Sequence, residues 1–158
     1  MKKLWLIPLM LVLASASIFG SCAQPPAPAE TEGDLLVTVN APLEWGGRQR
    51  VGNYYTALSF AKAAAESGRF SSVTVYFGAE SCDEAAAGVF AGIAAPMFPE
   101  GENLDEVCRY MYNELGVSFV APVGPIEHHG TTVANYFATI TDAQFVEIVA
   151  NADISVGY

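Results

Sequence analysis

The sequence predicts a three-layer α/β/α domain with a mainly parallel sheet of four to five strands, in the doubly wound, flavodoxin-like arrangement. Short apolar runs rich in β-branched residues alternate along the chain with longer segments whose apolar residues recur at helical spacing. Gly and Pro residues separate these segments. Strands that alternate with helices favour a parallel sheet covered on both faces. We therefore expect one α/β domain over residues 34–158.

The first half of this domain contains two predicted strands separated by one helix. Each strand is a short apolar run that polar or turn-forming residues bound. The helix carries apolar residues at helical spacing and stops at Gly68, because glycine favours the helix C-terminus. The predicted elements are a strand over 35–40, a helix over 53–68 and a strand over 72–78.

Capping signals place the helices of the second half. Residues 81, 103 and 141 are Ser, Asn and Thr, and each stands three positions before Glu or Gln, which is the spacing of a capping box. They predict helices that begin there, the first running to about residue 93 and the second closing at Gly116. Strands are expected over 117–121 and 154–158, whereas residues 131–140 fit either a short helix or an edge strand.

The first residues have the layout of an export signal. Lys2 and Lys3 precede an apolar run over 4–14, which is too short to cross a membrane comfortably as a helix. The sequence Phe19-Gly20-Ser21-Cys22 resembles a bacterial lipoprotein box. We expect a signal peptide over 1–21, a lipid on Cys22, and a membrane-anchored lipoprotein that faces the periplasm or the cell exterior.

Two other outcomes for this leader stay open. Residues 14–16 form an ordinary A-x-A cleavage signal, which predicts a soluble secreted or periplasmic protein instead. An uncleaved, retained anchor is the other alternative. In each case residues 22–33, rich in Pro and acidic residues, are expected to be an extended linker before the domain.

The charge of the chain argues against two classes of partner. The chain from Cys22 onwards has five basic residues against seventeen acidic ones, which gives a net charge of −12. Binding to phosphates requires clustered Lys and Arg. We therefore expect neither nucleic acid nor anionic lipid headgroups as partners, and we interpret the acidity as a contribution to solubility.

Several stretches, taken in order, resemble the DsrE/DsrF-like family of small sulfur-relay and related proteins. They are residues 35–40, 57–61, 73–78, 116–117, 129–130 and 152–158. The resemblance covers nearly everything after residue 34 and depends on the order and spacing of these short motifs. It implies a three-layer α/β fold, a homo-oligomer, and a sulfur-carrying cysteine shortly after the strand that begins Gly-Val. Pro122 stands about where that cysteine would fall, and a proline carries no persulfide.

Cys82 is the best-placed nucleophile in the sequence. It follows the second predicted strand and lies in the first turn of the predicted helix, where the helix dipole favours a thiolate. Three neighbouring acids, Glu80, Asp83 and Glu84, oppose thiolate formation. The alternative roles are a small buried residue or one half of a disulfide.

Cys108 is expected to be a buried thiol, because it shares an apolar helical stripe with Leu104 and Met111. Disulfides persist in exported compartments, so a bridge between Cys82 and Cys108 is a second possibility. No sequence argument decides between the two, because a bridge depends on three-dimensional geometry.

Glu127, His128 and His129 follow the third predicted strand in a Gly/Pro loop. Parallel α/β sheets keep their chemistry where strands end, and imidazole exchanges protons near neutral pH and binds metals. We expect His128 or His129 to assist proton transfer and Glu127 to contact a ligand. A metal role for the two histidines is a weaker hypothesis, since no further ligand is evident from spacing, and we expect no metal and no cofactor.

The loop after the first strand, residues 40–52, carries the remaining ligand-binding candidates. Asn40 begins this loop, and Arg48 and Arg50 are two of the five basic residues of the mature chain. In a doubly wound sheet this loop approaches the loop after the third strand. An arginine there would hold an anionic or thiol-bearing ligand beside the histidines, although a surface ion pair is the simpler role.

Together these features predict an exported DsrE-like protein that binds a small sulfur-containing compound or relays sulfur. In this hypothesis Cys82 is the nucleophile, and the sequence alone leaves catalysis undecided. The alternative is a non-catalytic ligand-binding or structural module in which Cys82 and Cys108 form a disulfide.

Overall fold

The computed structural model describes residues 33–45 and 48–158. The signal peptide expected over 1–21, the lipidation site Cys22 and all of the linker but Gly33 lie outside the described residues, as do the side chains of residues 45, 48 and 49. Within the described ranges, no helix has the length and apolar character needed to cross a membrane.

One parallel sheet organises the domain, as the sequence predicted. Its five strands lie in the order β6-β5-β4-β1-β7, and every neighbouring pair is parallel. Two further strands, β2 and β3, form a small antiparallel pair in the loop after β1. The strands are β1 (Asp34–Val39), β2 (Glu44–Trp45), β3 (Arg48–Gln49), β4 (Ser72–Phe77), β5 (Ser118–Pro122), β6 (Phe137–Ile140) and β7 (Ile154–Gly157).

Four α-helices connect these strands in the described part of the chain, and several of their ends follow the capping signals of the sequence. Gly68 and Gly116 close two of them with φ of 63° and 69°, a conformation that glycine adopts at little cost. Asn103 caps one helix, and Thr141 with Gln144 forms a complete capping box on another. The helices are α1 (Val51–Ser67), α2 (Leu104–Leu115), α3 (Val123–His129) and α4 (Asp142–Asn151).

The two faces of the sheet are covered unequally. One face of the sheet, which includes Val37 and Val75, packs against α1 and α2 to form the hydrophobic core. On the opposite face Phe145 of α4 stacks on Tyr76, with ring centroids 4.1 Å apart. No residue of α4 is buried. The three predicted layers are therefore present, and the core is concentrated between the sheet, α1 and α2.

The α-helix predicted over 82–93 is wrong. Two short 3₁₀ turns, Cys82–Ala85 and Phe90–Gly92, occupy this stretch. The Ser81 hydroxyl donates to the Val39 carbonyl instead of capping, and Glu84 accepts from the backbone N–H of Leu43. Ser81 is thus bonded to the last residue of β1 and Glu84 to the loop after β1, and these tertiary contacts override the local capping signal.

The Gly/Pro loop predicted after β5 is in part the short helix α3. Pro122 is its N-cap residue, and Pro125 lies in the first turn, where a missing N–H leaves no bond unmade. Gly130, with φ of 66°, ends the helix after the two histidines. The ambiguous stretch 131–140 contains the edge strand β6.

Candidate functional site

Three segments meet at the carboxyl ends of β1, β4 and β5, the edge where parallel sheets carry their sites. They are the loop 40–50, the turn that contains Cys82, and helix α3. The Cys82 turn contacts both β4 and β5 as well as α3. The predicted position of a site is therefore occupied by groups from separate parts of the chain.

Cys82, Asp83 and His129 form a compact cluster at this edge. A thiol sulfur, a carboxylate oxygen and an imidazole nitrogen, one from each residue, all lie within 4.8 Å of one another. The Nδ1 atom of His129 is 2.7 Å from Oδ1 of Asp83, so the two side chains share a hydrogen bond. Thr131 Oγ1 donates to the same carboxylate oxygen at 3.4 Å. The arrangement places a thiol beside a carboxylate-oriented imidazole.

Cys82 is held as a neutral thiol in this cluster. Its side chain is only 1% exposed, and burial is the largest cause that raises the pKa of its thiol. The nearby Asp83 and Glu84 carboxylates raise that pKa further. The helix-dipole activation expected from an α-helix N-terminus is absent, because the turn is a single 3₁₀ turn. Activation of Cys82 therefore requires a proton acceptor, and the cluster offers two, the His129 imidazole and the Asp83 carboxylate, each with an atom within 4.8 Å of the sulfur.

Glu84 is a buried acid in the same turn. It is 8% exposed, and its Oε1 accepts from Leu43 N at 2.6 Å. Its Oε2 has no hydrogen-bond partner in the described part of the chain. Burial raises the pKa of Glu84, while the bond from Leu43 acts in the opposite direction. Glu84 thus ties the loop after β1 to the Cys82 turn.

Tyr54 supports the same junction from α1. Its hydroxyl donates to the Ala41 carbonyl at 2.8 Å, and its ring is fully buried between Phe77 and Phe90. Burial and the neighbouring Glu84 carboxylate raise the pKa of Tyr54 well above its ordinary value. Tyr54 and Glu84 therefore fix the loop backbone on both sides of residue 42.

The other predicted histidine lies beside this cluster. His128 and Glu127 are exposed, and the His128 ring centroid is 5.6 Å from that of His129. Of the two histidines, only His129 belongs to the cluster with Cys82 and Asp83. The structure thus separates two adjacent residues between which the family pattern at 129–130 indicated only a slight preference, for His129.

None of the ligand-binding candidates of the first loop belongs to the three-donor cluster. Asn40 is exposed, and its backbone N–H donates to the Tyr158 carbonyl at 3.0 Å. Arg50 is exposed at the start of α1, and the side chain of Arg48 lies outside the described residues. A ligand pocket shared by these arginines and the histidines therefore stays a prediction.

The structure does not form the Cys82–Cys108 disulfide. Both cysteines are free and buried. Cys108 points into the apolar core from α2, and burial raises the pKa of its thiol well above the ordinary value. The expectation that Cys108 is a buried core thiol is correct.

Pro122 is the last residue of β5 and is buried. Cys82 follows β4, the neighbouring strand in the sheet. The candidate thiol is thus displaced by one strand from the position that the family resemblance assigns to a sulfur-carrying cysteine.

A solved structure, the YchN protein from E. coli, is similar to this chain. The similarity has a TM-score of 0.58 at 12% sequence identity, and it covers 80% of this chain and 99% of that one. No protein-family model matches the chain, and neither does any curated protein. At this identity the likeness shows the fold, which is DsrE-like.

Sequence reasoning missed the partners of the candidate thiol. Asp83 was considered only as a charge opposing the thiolate, and its bond to His129 spans 46 positions of the chain. Glu84 was expected in a capping box, and Tyr54 lies in the predicted first helix without a predicted contact to Cys82. The available signal was the position of Asp83 and His129 after neighbouring parallel strands, which places them at one edge of the sheet.

Proposed function

We propose that this DsrE-like protein binds a small sulfur compound and relays sulfur through Cys82, with His129 as proton acceptor and Asp83 as the residue that orients it. The observation that carries this proposal is the grouping of the Cys82 sulfur, the Asp83 carboxylate and a His129 ring nitrogen within 4.8 Å. A thiol, an imidazole and an orienting carboxylate are the parts of an activated cysteine nucleophile.

Each member has a distinct task. The Asp83 bond to Nδ1 favours the tautomer in which that nitrogen carries the proton, which leaves Nε2 of His129 as the basic atom. A base close to the sulfur offsets the cost of ionising a buried thiol, because the proton is transferred locally and the resulting imidazolium stabilises the thiolate. Asp83 in turn stabilises that imidazolium.

The proposed transfer balances as an exchange between a thiol and a persulfide. Cys82 gives its proton to His129, and the thiolate attacks the outer sulfur of a donor persulfide R–S–SH. The S–S bond of the donor breaks, a new S–S bond forms on Cys82, and the donor leaves as R–S⁻, which takes the proton back as R–SH. Cys82 then carries the outer sulfur as a persulfide, and an acceptor thiol removes that sulfur by the same step.

Entry of the donor requires movement of exposed groups. The sulfur is buried, whereas the side chains of Asp83 and His129 are 61% and 43% exposed. We infer that rotation of these two exposed side chains admits a small donor to Cys82. A small sulfur compound therefore fits this site better than a large folded donor does.

The direct test is transfer from a low-molecular-weight persulfide, followed by intact mass of the protein under non-reducing conditions. The chain carries Cys22→Ser, so that Cys82 and Cys108 are its only thiols. We expect a gain of one sulfur atom that maps to Cys82. The matched control is Cys108→Ser, which removes the other buried thiol and should still gain the sulfur. A chain that gains none, or gains it on Cys108, contradicts the proposal.

The second candidate is a non-catalytic binding module, and the neutral, buried state of Cys82 favours it. Its disulfide form is not supported, because both cysteines are free. The same experiment separates the two functions. A binding module takes up a small thiol compound reversibly, without a covalent gain in mass at Cys82.

Export, the lipid on Cys22 and homo-oligomer formation stay predictions. They rest on the leader sequence and on the family resemblance. Sedimentation of the purified chain tests the last of these: a mass equal to a multiple of the chain mass agrees with it, and a monomer at all concentrations contradicts it.

A further inference from the structure

The cluster at the carboxyl edge of the sheet combines donor types that thiophilic divalent cations select. Zn²⁺ takes cysteine sulfur, histidine nitrogen and carboxylate oxygen, at about 2.3, 2.0 and 2.1 Å respectively. Around one tetrahedral ion such atoms lie about 3.3 to 3.6 Å apart. Atoms of these three types lie within 4.8 Å of one another here. A contraction of at most about 1.5 Å would bring them to a bound geometry.

The side chains that would move are the exposed ones. The buried Cys82 sulfur is fixed, whereas Asp83 and His129 reach solvent and can rotate toward it. The 2.7 Å contact between Asp83 Oδ1 and His129 Nδ1 already brings two donors together around a shared proton. A cation that replaces this proton would lengthen the distance between Asp83 Oδ1 and His129 Nδ1 by less than about 1 Å. Little reorganisation of the backbone is needed.

The surroundings of the cluster also suit a cation. A thiolate, a carboxylate and a neutral imidazole together balance a charge of +2. Thr131 Oγ1 donates to the Asp83 carboxylate, an outer contact of the kind that orients metal ligands. The net charge of the chain is −10, which raises the local concentration of cations.

We propose that Cys82, Asp83 and His129 form a binding site for a thiophilic divalent cation such as Zn²⁺, with water in the fourth position. The site differs from the histidine pair considered from the sequence, because Cys82 and Asp83 take the place of His128. It depends on the donor geometry alone and not on sulfur transfer. If both functions hold, the cation and the transferred sulfur compete for Cys82, and metal binding would regulate the relay.

The experiment titrates the full chain carrying Cys22→Ser with Co²⁺ as a spectroscopic probe, and then displaces Co²⁺ with Zn²⁺. We expect one equivalent to bind and a thiolate-to-cobalt charge-transfer band to appear. Cys82→Ser should abolish the band, and Asp83→Asn and His129→Gln should each weaken binding by more than about tenfold. Cys108→Ser and His128→Gln are the matched controls, and each should change affinity by less than about twofold.

Two results overturn the proposal: absence of the band in the unsubstituted site, or a His128→Gln variant that weakens binding as much as His129→Gln does. Cys82 is buried, so thermal unfolding of Cys82→Ser is recorded first. If that variant does not fold, the proposal is judged from the cobalt affinities of Asp83→Asn and His129→Gln, whose substituted side chains are exposed. Persulfide transfer measured with a chelator present keeps the two functions apart, because transfer without metal binding, or the reverse, contradicts only one of them.

Discussion

His129 Nδ1 lies 2.7 Å from Asp83 Oδ1, which joins the last turn of α3 to the turn that follows β4. The contact crosses between segments that are carried by neighbouring parallel strands. It brings the imidazole to the turn whose first residue is Cys82. The proposed chemistry of this domain depends on that contact, and the predictions below test the residues that build and support it.

Replacing Glu84 by Gln should stabilise the protein at neutral pH. Burial raises the pKa of Glu84 in the folded state above its ordinary value of 4.5. The folded state then binds more protons than the unfolded state as pH rises from 4.5 through the raised pKa, so stability falls in that window. Each pKa unit of difference between the folded and unfolded states corresponds to about 1.4 kcal/mol of unfolding free energy. Gln removes the charge and keeps an acceptor for Leu43.

The measurement is denaturant unfolding of Glu84→Gln and of the parent chain at pH 7 and near pH 4. The stabilisation should be present at pH 7 and shrink toward pH 4, where the parent carboxyl is protonated. Glu114→Gln, at an exposed position of α2, is the control and should stay within about 0.5 kcal/mol of the parent. A Glu84→Gln variant that is less stable at pH 7 would disprove the argument.

Replacing Tyr54 by Phe should cost roughly 1 to 2 kcal/mol of unfolding free energy. The substitution keeps the buried ring and removes only the hydroxyl that donates to the Ala41 carbonyl, which then has one partner fewer. Tyr112→Phe, at a residue 46% exposed, is the matched control and should have little effect. Equal stabilities of the two variants would show that the Tyr54 hydroxyl does not hold the loop.

Replacing Gly116 by Ala should destabilise the domain by about 1 kcal/mol, because its φ of 69° is unfavourable for a residue with a Cβ. Gly124→Ala is the matched control. It lies in the first turn of α3, a Cβ there meets no atom within 4 Å, and the change should be neutral or stabilising by up to about 1 kcal/mol. Thermal unfolding of both variants measures the two changes in stability. A Gly116→Ala variant that is more stable than the parent would contradict the capping role of Gly116.

Replacing Cys22 by Ser should release the protein from membranes if the lipoprotein prediction is correct. A thioether-linked lipid requires the Cys22 sulfur, whereas the apolar run over 4–14 is unaffected by the change. Partitioning into a detergent phase, after expression with the native leader, measures the difference. Membrane association that persists in Cys22→Ser would favour the retained anchor instead.

Strands β1, β4, β5 and β7 and helices α1, α2 and α4 could be predicted because their signals are local. Gly68 and Gly116 end their helices through a conformational preference that does not depend on tertiary packing. The alternation of apolar runs with helical segments favours a parallel sheet. The turn at residues 82–85 could not be predicted in this way. Ser81 and Glu84 bond to Val39 and Leu43, about forty positions earlier, and only the assembled sheet offers those partners.

The candidate site shows the same division. The sequence indicated that Cys82 and His129 lie at the carboxyl edge of the sheet, since each follows a predicted strand. It favoured His129 over His128 only slightly, through the match of residues 129–130 to the family pattern, because the direction of each ring depends on α3, a helix in a stretch predicted as loop. The Asp83 contact needs both strands in register, which local sequence does not specify.

The most direct test of the central claim is the rate of Cys82 alkylation in the native chain carrying Cys22→Ser, followed by mass spectrometry across pH. Burial raises the pKa of the Cys82 thiol, so the rate should be low at neutral pH and rise with pH. If His129 accepts the proton, His129→Gln should slow the reaction at neutral pH by about a hundredfold or more, the usual range for general-base assistance. Asp83→Asn should slow it less, because that change also removes a carboxylate that raises the pKa of the thiol. His128→Gln should leave the rate unchanged. Equal rates in the His129→Gln and His128→Gln variants would show that the imidazole bonded to Asp83 does not serve Cys82.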